Sequence, residues 1–482
     1  MTSRISLVLA LCAAAPALAQ PAPRPPAPRP PAPRPAAAPA AAPDDLAAFD
    51  RDLDTLFAAG GLTAEQAASR AQTASPTVRR RAAELDAAIA QRQAAELALV
   101  PQVRGTASYT RLSAIQVAPI SFPIGGMTIN FAFPSPLTNA YLAEAQLAVP
   151  LSDYLLRFPA LIDTAKLGVE AARIDKRSSE IGAGQDARLA YYEWVRARLQ
   201  VLIAQRQLVQ VQRTLDQVRA LAEVQRLSRA DLMRVEAQQA DAEQTVDQLQ
   251  NLAQLREEQL RILIGAAPGE PLAVGEDIRA EVQVGGVAAI GDLVDTARRQ
   301  RLEFKVIDVG IAAKQRQRDA ELANSLPRLS AFGVADYADP NQRVFPQVDQ
   351  FKFTWQVGAQ LTWTINDALI AETTKRRIAA EANELRADRQ NLDNGTRIEV
   401  QSAQQAVALA QHALATTQKG LAAAEESYRV RRELLNAERA TAVELVDAET
   451  ELTRARIAAL NARVDLRVAQ AQLSHAIGND AK

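Results

Sequence analysis

The chain has 482 residues, with 55 Lys and Arg against 56 Asp and Glu, so it offers no basic excess for a nucleic-acid partner. Its one Cys, Cys12, and two His, His412 and His475, are too few and too scattered for a metal cluster or a disulfide framework. There is also no Gly-rich phosphate loop, nucleophile elbow or Cys/His constellation, so neither an enzyme activity nor a cofactor is expected.

Residues 1–19 read as a secretory signal peptide: Arg4, then the apolar run Ile5 to Ala15, then the small-x-small site Ala17-Leu18-Ala19. Leu11 before Cys12 does not fit a lipoprotein signal, so lipidation is not expected. PAPRP occurs three times over residues 21–35, and residues 20–43 read as an extended Pro-rich linker. No segment after the signal has the ~20 consecutive apolar residues of a transmembrane helix.

Asp44 to Ala59 reads as a short helix stopped by Gly60-Gly61. Thr63-Ala64-Glu65-Gln66 fits a capping box, and Ser75-Pro76 reads as an N-cap and first helical residue. That helix is expected to reach about Val100, before Pro101. Alternating runs predict strands at about 103–111 and 141–151, with Ile124-Gly125-Gly126-Met127 able to turn a hairpin between them. A helix is then predicted from Tyr154 to about Arg226, a break near Leu227-Ser228-Arg229, and a helix to Leu263 ended by Gly265.

The layout then recurs. After a connector at 266–291, a helix is expected over 292–326, with strands at about 329–337 and 351–365. A long helix follows from Asn366-Asp367 to about Leu435, then a break near 436–440 and a helix to Ile477 ended by Gly478. Pro101 and Pro327 lie 226 residues apart, Asp153 and Asp367 214, Gly265 and Gly478 213. The first structural repeat is therefore 44–265 and the second 292–478, with a tail at 479–482.

Within 351–365 every odd residue is apolar and every even one is polar or Gly. That greasy face meets either a core or lipid. In the last helix Leu445, Leu452, Ala459, Leu466 and Leu473 form one seven-residue stripe, and Ile457, Val464 and Ala471 another. Two separate stripes suit a helix with a neighbour on each side. Four strands cannot close a barrel, and open edges are forbidden in lipid, so strands that span a membrane require an oligomer.

Together these features resemble the TolC family of outer-membrane efflux proteins over about residues 62–478. The resemblance rests on the duplicated layout and the strand entries Pro101-Gln102-Val103 and Pro327-Arg328-Leu329. The exit Val149-Pro150-Leu151-Ser152-Asp153 and the repeat ends Leu263-Ile264-Gly265 and Ala476-Ile477-Gly478 add to it. It implies a mixed α/β membrane protein, mostly α: a homotrimer whose 12-stranded β-barrel in the outer-membrane lipid is continued by a periplasmic α-helical barrel. Its partners would be a periplasmic adaptor and an inner-membrane pump.

By the same resemblance, Val443-Glu444-Leu445-Val446-Asp447-Ala448 matches the family's entrance motif, making Glu444 and Asp447 the carboxylate ring of the periplasmic aperture. Asp231, Tyr428 and Arg439 would be gating contacts at the tips, and Leu227, Ser228, Arg229, Ala437 and Glu438 would dock the adaptor. Tyr109, Tyr141, Phe351, Phe353, Trp355 and Trp363 are expected to face lipid. The tips depart from the pattern in lacking Gly and in a longer stretch from Tyr428 to Asp447.

The function expected is a passive exit duct of a tripartite efflux system. Type I protein secretion shares the fold and stands as an alternative. A soluble periplasmic coiled-coil adaptor is an alternative of another class, and it leaves the four aromatic-rich strands unexplained.

Overall fold

A computed structural model of the chain describes residues 45–115, 118–131, 137–225, 227–280, 288–437 and 439–481. The expected signal peptide, the Pro-rich linker, part of the connector and Glu438 lie outside these residues. Met1–Ala48 and Phe49–Lys482 are separate units, and apart from the first residues of a helix at 45–56 the account below concerns the second.

Helix α1 (Asp45–Leu56) stops earlier than expected, because the chain turns extended as β1 (Phe57–Leu62). The competing force is backbone pairing with the connector. Leu62 N–H donates to the Ala273 carbonyl at 2.8 Å, and Gly275 N–H donates to the Leu62 carbonyl at 2.8 Å. Helix α2 (Ala64–Ala74) opens with the predicted capping box: Gln66 N–H donates to Thr63 Oγ1 at 3.2 Å and Thr63 N–H to Gln66 Oε1 at 3.0 Å. Helix α3 (Pro76–Leu97) starts at its proline as expected, but the Ser75 side chain does not cap it; its hydroxyl lies 2.7 Å from that of Thr77.

The strands are β2 (Gln102–Arg111), β3 (Ile120–Ile124), β4 (Met127–Phe131) and β5 (Asn139–Val149). β3 and β4 form the expected hairpin, whose turn residues Gly125 and Gly126 both have positive φ, as a type I′ hairpin turn requires. β5 stops at Val149 rather than 151, since Pro150 has no N–H to give the ladder. The expected helix from Tyr154 is two helices, α4 (Leu151–Leu156) and α5 (Phe158–Glu223). Pro159 accounts for the break, because its ring clashes with the carbonyl four residues back in a continuous helix.

Helix α6 (Arg229–Leu263) completes the first repeat. The helix expected over 292–326 is likewise two, α7 (Ile290–Gln300) and α8 (Leu302–Ala323), separated by Arg301 with ψ 130°. Ser75, at ψ 127°, separates α2 from α3, and Ser75 and Arg301 lie 226 residues apart, the same spacing as Pro101 and Pro327. The two breaks are thus related by the spacing that relates the two prolines. Strands β6 (Arg328–Asp339) and β7 (Lys352–Thr362), helices α9 (Ile365–Asn436) and α10 (Ala442–Ala476) and a 3-10 turn (Asn479–Ala481) finish the chain. β7 ends before 365, where α9 begins.

α3 and α6 both pack along α5, while α7, α8 and α10 pack along α9, so shorter helices lie beside each long one. α5 also contacts α8 and α10, which joins the repeats. The two stripes of α10 meet different neighbours. Leu445 and Leu452 pack with Tyr428, and Leu466 with Val407 and Ala410, all of α9. Ile457, Leu460 and Val464 instead join the main core, built on Tyr191, Trp194, Leu199 and Ile203 of α5.

Each repeat ends on a left-handed glycine: φ is +64° at Gly265 and +76° at Gly478. At the first, Ala266 N–H donates to the Arg261 carbonyl at 3.0 Å and Gly265 N–H to the Ile262 carbonyl at 3.3 Å, the paired bonds of a Schellman cap. A Cβ on Gly265 would sit 2.5 Å from that of Ala74. Gly265→Ala is expected to lower stability by about 2–3 kcal/mol, from the left-handed conformation plus the overlap, as read by thermal or denaturant melting.

Candidate functional site

Two regions carry the chemistry: the β-sheet, and the helix–turn–helix tips at the far ends of α5 and α9. The sheet is antiparallel in the order β2-β5-β6-β7, so β2 and β7 are its edges. Its register gathers apolar residues into rows across one face. Ala143, Tyr337 and Phe353 share a row, as do Ala145, Ala335 and Trp355, and then Leu147, Gly333 and Val357. Val103 and Gly105 of β2 extend these rows opposite Leu147 and Ala145. The other face carries Arg104, Glu144, Gln146, Asp336, Thr354 and Gln356.

Exposure is the reverse of a soluble sheet's. Val357 is 73 % exposed, Leu361 68 % and Trp355 63 %, while Thr354 and Gln356 on the polar face are half-buried. All six aromatic residues expected to face lipid are exposed. Tyr109 and Tyr141 lie 5.0 Å apart, and Phe351 lies 6.0 Å from Tyr141 and 5.0 Å from Tyr337, so the rings form a band across the strands at one end of the sheet. Trp363 stands just beyond the other end of β7. Tyr337 was missing from the expected set, although its place in an alternating run could have signalled it. The loop after β6 folds over the polar face: Asn341 donates to Thr354 Oγ1 at 3.1 Å, and Arg343 to the Trp355 carbonyl at 2.9 Å and to Gln356. No helix among the described residues is long and apolar enough to cross a membrane.

The tips match one another. Five residues, 224–228, join α5 to α6, and five, 437–441, join α9 to α10. Ser228 caps α6 and Thr441 caps α10. Asp231 is committed to the first cap: it accepts from Ser228 Oγ at 2.6 Å and Ser228 N–H at 3.3 Å, and its own N–H donates to Ser228 Oγ at 3.2 Å. Leu227 turns inward against Leu215, Val218, Val235 and Val446. Arg229 and Ala437 are exposed.

Glu444 occupies in the second tip the position of Asp231 in the first. Its N–H donates to Thr441 Oγ1 at 3.2 Å, but its carboxylate leans toward α9 and accepts from Arg431 at 2.5 Å. Asp447 reaches the other way, to Arg234 of α6 at 3.7 Å. The two carboxylates are thus half-exposed and exposed respectively, each beside an arginine of a neighbouring helix. Tyr428 is buried against Leu445, with the Arg432 guanidinium 5.6 Å from its ring centroid. Arg439 is exposed, and its N–H donates to the Leu434 carbonyl at 2.8 Å. Nearby, the hydrogen-bonding Arg429 guanidinium holds the Glu426 carboxyl below the usual carboxylate range. Arg234 and Arg431 were not among the expected site residues; the 213-residue spacing, which pairs position 234 with 447, was the signal for the first. Among the described residues no group of His, Cys, Asp or Glu is placed to hold a metal ion.

Residues 67–266 match the family model described as outer membrane efflux protein. Among solved structures, the outer-membrane channel OprN is 19 % identical, with a TM-score of 0.71 over 93 % of this chain and 98 % of its own. The CmeC outer-membrane channel of Campylobacter jejuni is 14 % identical, with a TM-score of 0.71 over 89 % of this chain and 87 % of its own. The open-state MtrE outer-membrane channel of Neisseria gonorrhoeae is 17 % identical, with a TM-score of 0.68 over 87 % and 89 %. No match was found among curated proteins.

The resemblance read from the sequence is therefore borne out. Residues 67–266 are thus similar to the outer membrane efflux protein family, and the fold over most of the chain is that of solved outer-membrane channels.

Proposed function

We propose that three copies of this chain form a gated, water-filled exit duct of a tripartite efflux system. The observation that carries this reading is the sheet, with its exposed apolar face, its half-buried polar face and two unpaired edges. In lipid every backbone group needs a partner, so β2 of one copy pairs with β7 of the next. Three four-stranded sheets close as twelve strands, with Phe353, Trp355 and Val357 outward and Thr354 and Gln356 toward the lumen. The long helices continue this barrel as a periplasmic tunnel that ends at the tips.

Glu444 and Asp447 then encircle the entrance, while Asp231, Tyr428 and Arg439 hold the tips in their closed arrangement. Leu227, Ser228, Arg229, Ala437 and Glu438 meet the periplasmic adaptor, which links the duct to an inner-membrane pump. Efflux is favoured over protein secretion because the matching family is described by efflux. The soluble-adaptor reading conflicts with an apolar sheet face left open to water.

Detergent-purified protein is expected to run as a trimer by native mass and to give discrete single-channel currents in planar bilayers. A monomeric mass together with silent bilayers would sink the duct. For the tips, a photo-crosslinker placed at Arg229 or Ala437 is expected to capture a periplasmic adaptor in cells, whereas one placed on mid-α9, at Gln390, is not.

A further inference from the structure

The duplication relates the two tips residue by residue. Asp231 and Glu444 lie 213 positions apart, and so do Arg234 and Asp447, the same spacing as Gly265 and Gly478. The first tier of the entrance is thus acidic in both repeats. One helical turn deeper the second tier alternates, with a cation from the first repeat and a carboxylate from the second. These last two side chains meet, Arg234 reaching Asp447 at 3.7 Å.

Glu444 is also supplied with a cation, Arg431 on the last turns of α9, at 2.5 Å. The first ten residues of α10, 442–451, contain Glu444, Asp447, Glu449 and Glu451 and no Lys or Arg. A helix N-terminus favours such acids but cannot cancel their field in an aqueous pore. For Glu444 and Asp447 the cancelling charge comes from the neighbouring helices, whereas Glu451 pairs with Arg454 of α10 itself at 2.7 Å.

We propose that Arg234 and Arg431 are the selectivity-determining residues of the periplasmic entrance. This rests on the duct reading, which places Glu444 and Asp447 around the axis. With Glu444 and Asp447 each matched by an arginine of its own protomer, that ring is zwitterionic, six acids against six bases, while Asp231 of the first tier is held apart in its own cap with Ser228. An ion at the axis meets dipoles in place of net charge, and dipole fields fade within the ~8 Å screening length of physiological salt. The entrance therefore admits solutes of either sign with little preference. The arginines, not the carboxylates alone, set that balance.

The test is reversal-potential measurement in planar bilayers under a KCl gradient, with La³⁺ added at the periplasmic side as a blocking probe. The wild-type channel is expected to be weakly selective and poorly blocked. Arg234→Gln with Arg431→Gln exposes the carboxylates and should raise the cation-to-anion permeability ratio by roughly threefold or more and sensitise the pore to La³⁺. Glu444→Gln with Asp447→Asn should invert the preference toward anions. Arg234→Lys with Arg431→Lys keeps the charge and should preserve wild-type selectivity, which separates charge from damage to the tip. A wild-type pore already strongly cation-selective and La³⁺-blocked, or an unchanged ratio in the Gln pair, would overturn the assignment. A wild-type protein without any conductance would instead overturn the duct, and this inference with it.

Discussion

Val357→Arg is expected to remove the protein from the outer-membrane fraction, while Gln146→Arg is expected to leave its yield close to wild type. The two positions sit at neighbouring levels of the sheet: Val357 pairs with Gly333, which pairs with Leu147, and Gln146 is the residue before Leu147. Being one residue out of phase, they point to opposite faces. At the bilayer midplane an arginine on the lipid face of a barrel costs about 2–4 kcal/mol, a cost the proposed trimer would carry three times. On the lumen side the guanidinium stays hydrated and costs little. Membrane fractionation and the yield of heat-stable oligomer check the pair. Equal recovery of both variants, or selective loss of Gln146→Arg, would reverse the assignment of faces and with it the lumen.

Trp194→Ala is expected to destabilise the helical part by about 3–5 kcal/mol, the usual cost of emptying a large aromatic site in a core. Trp194 is fully buried, with its ring in edge contact with that of Tyr191 at 6.0 Å. The core around it joins Leu53 of α1, Ala67 and Ala71 of α2, Leu260 of α6, Val274 and Ile278 of the connector, and Leu460 and Val464 of α10. One cavity there loosens elements from both repeats. Differential scanning calorimetry should show a lower melting temperature, and limited proteolysis should cut earlier near β1 and 273–275. Trp363→Ala is the contrast: Trp363 is 58 % exposed, so its loss leaves no cavity and the helical melting transition should be unmoved. Equal destabilisation by both substitutions would count against the core assigned to Trp194.

Local chemistry made much of this molecule legible in its sequence. The Thr63–Gln66 capping box, the Gly125-Gly126 turn and the glycines that end both repeats depend on interactions within a few residues of one another, so the chain announces them directly. Alternation in 351–365 identified an amphipathic strand, and the two stripes of α10 identified a helix with two neighbours; both are periodic signals that survive without tertiary information. Where the reading failed, the cause was non-local or a single proline. β1 formed in place of the end of a helix because residues 273–275, some two hundred positions away, supplied its hydrogen bonds. Pro159 split the first long helix, and the break at Arg301 is held by Glu399 and the Ala476 carbonyl.

The carboxylates proposed for the entrance follow the same division. Their types and their i,i+3 spacing are written in Glu444 and Asp447, but their directions are not. Spacing i,i+3 puts both on one helix face, yet Glu444 turns to α9 and Asp447 to α6, because each neighbouring helix presents an arginine. The sequence by itself determined the alternating strands, the long helices and the acidic opening of α10, since each depends on local periodicity and composition. Only the tertiary structure decided which face of the sheet stays exposed, which strands form its edges and which base answers each acid, because those depend on residues brought together from both halves of the chain.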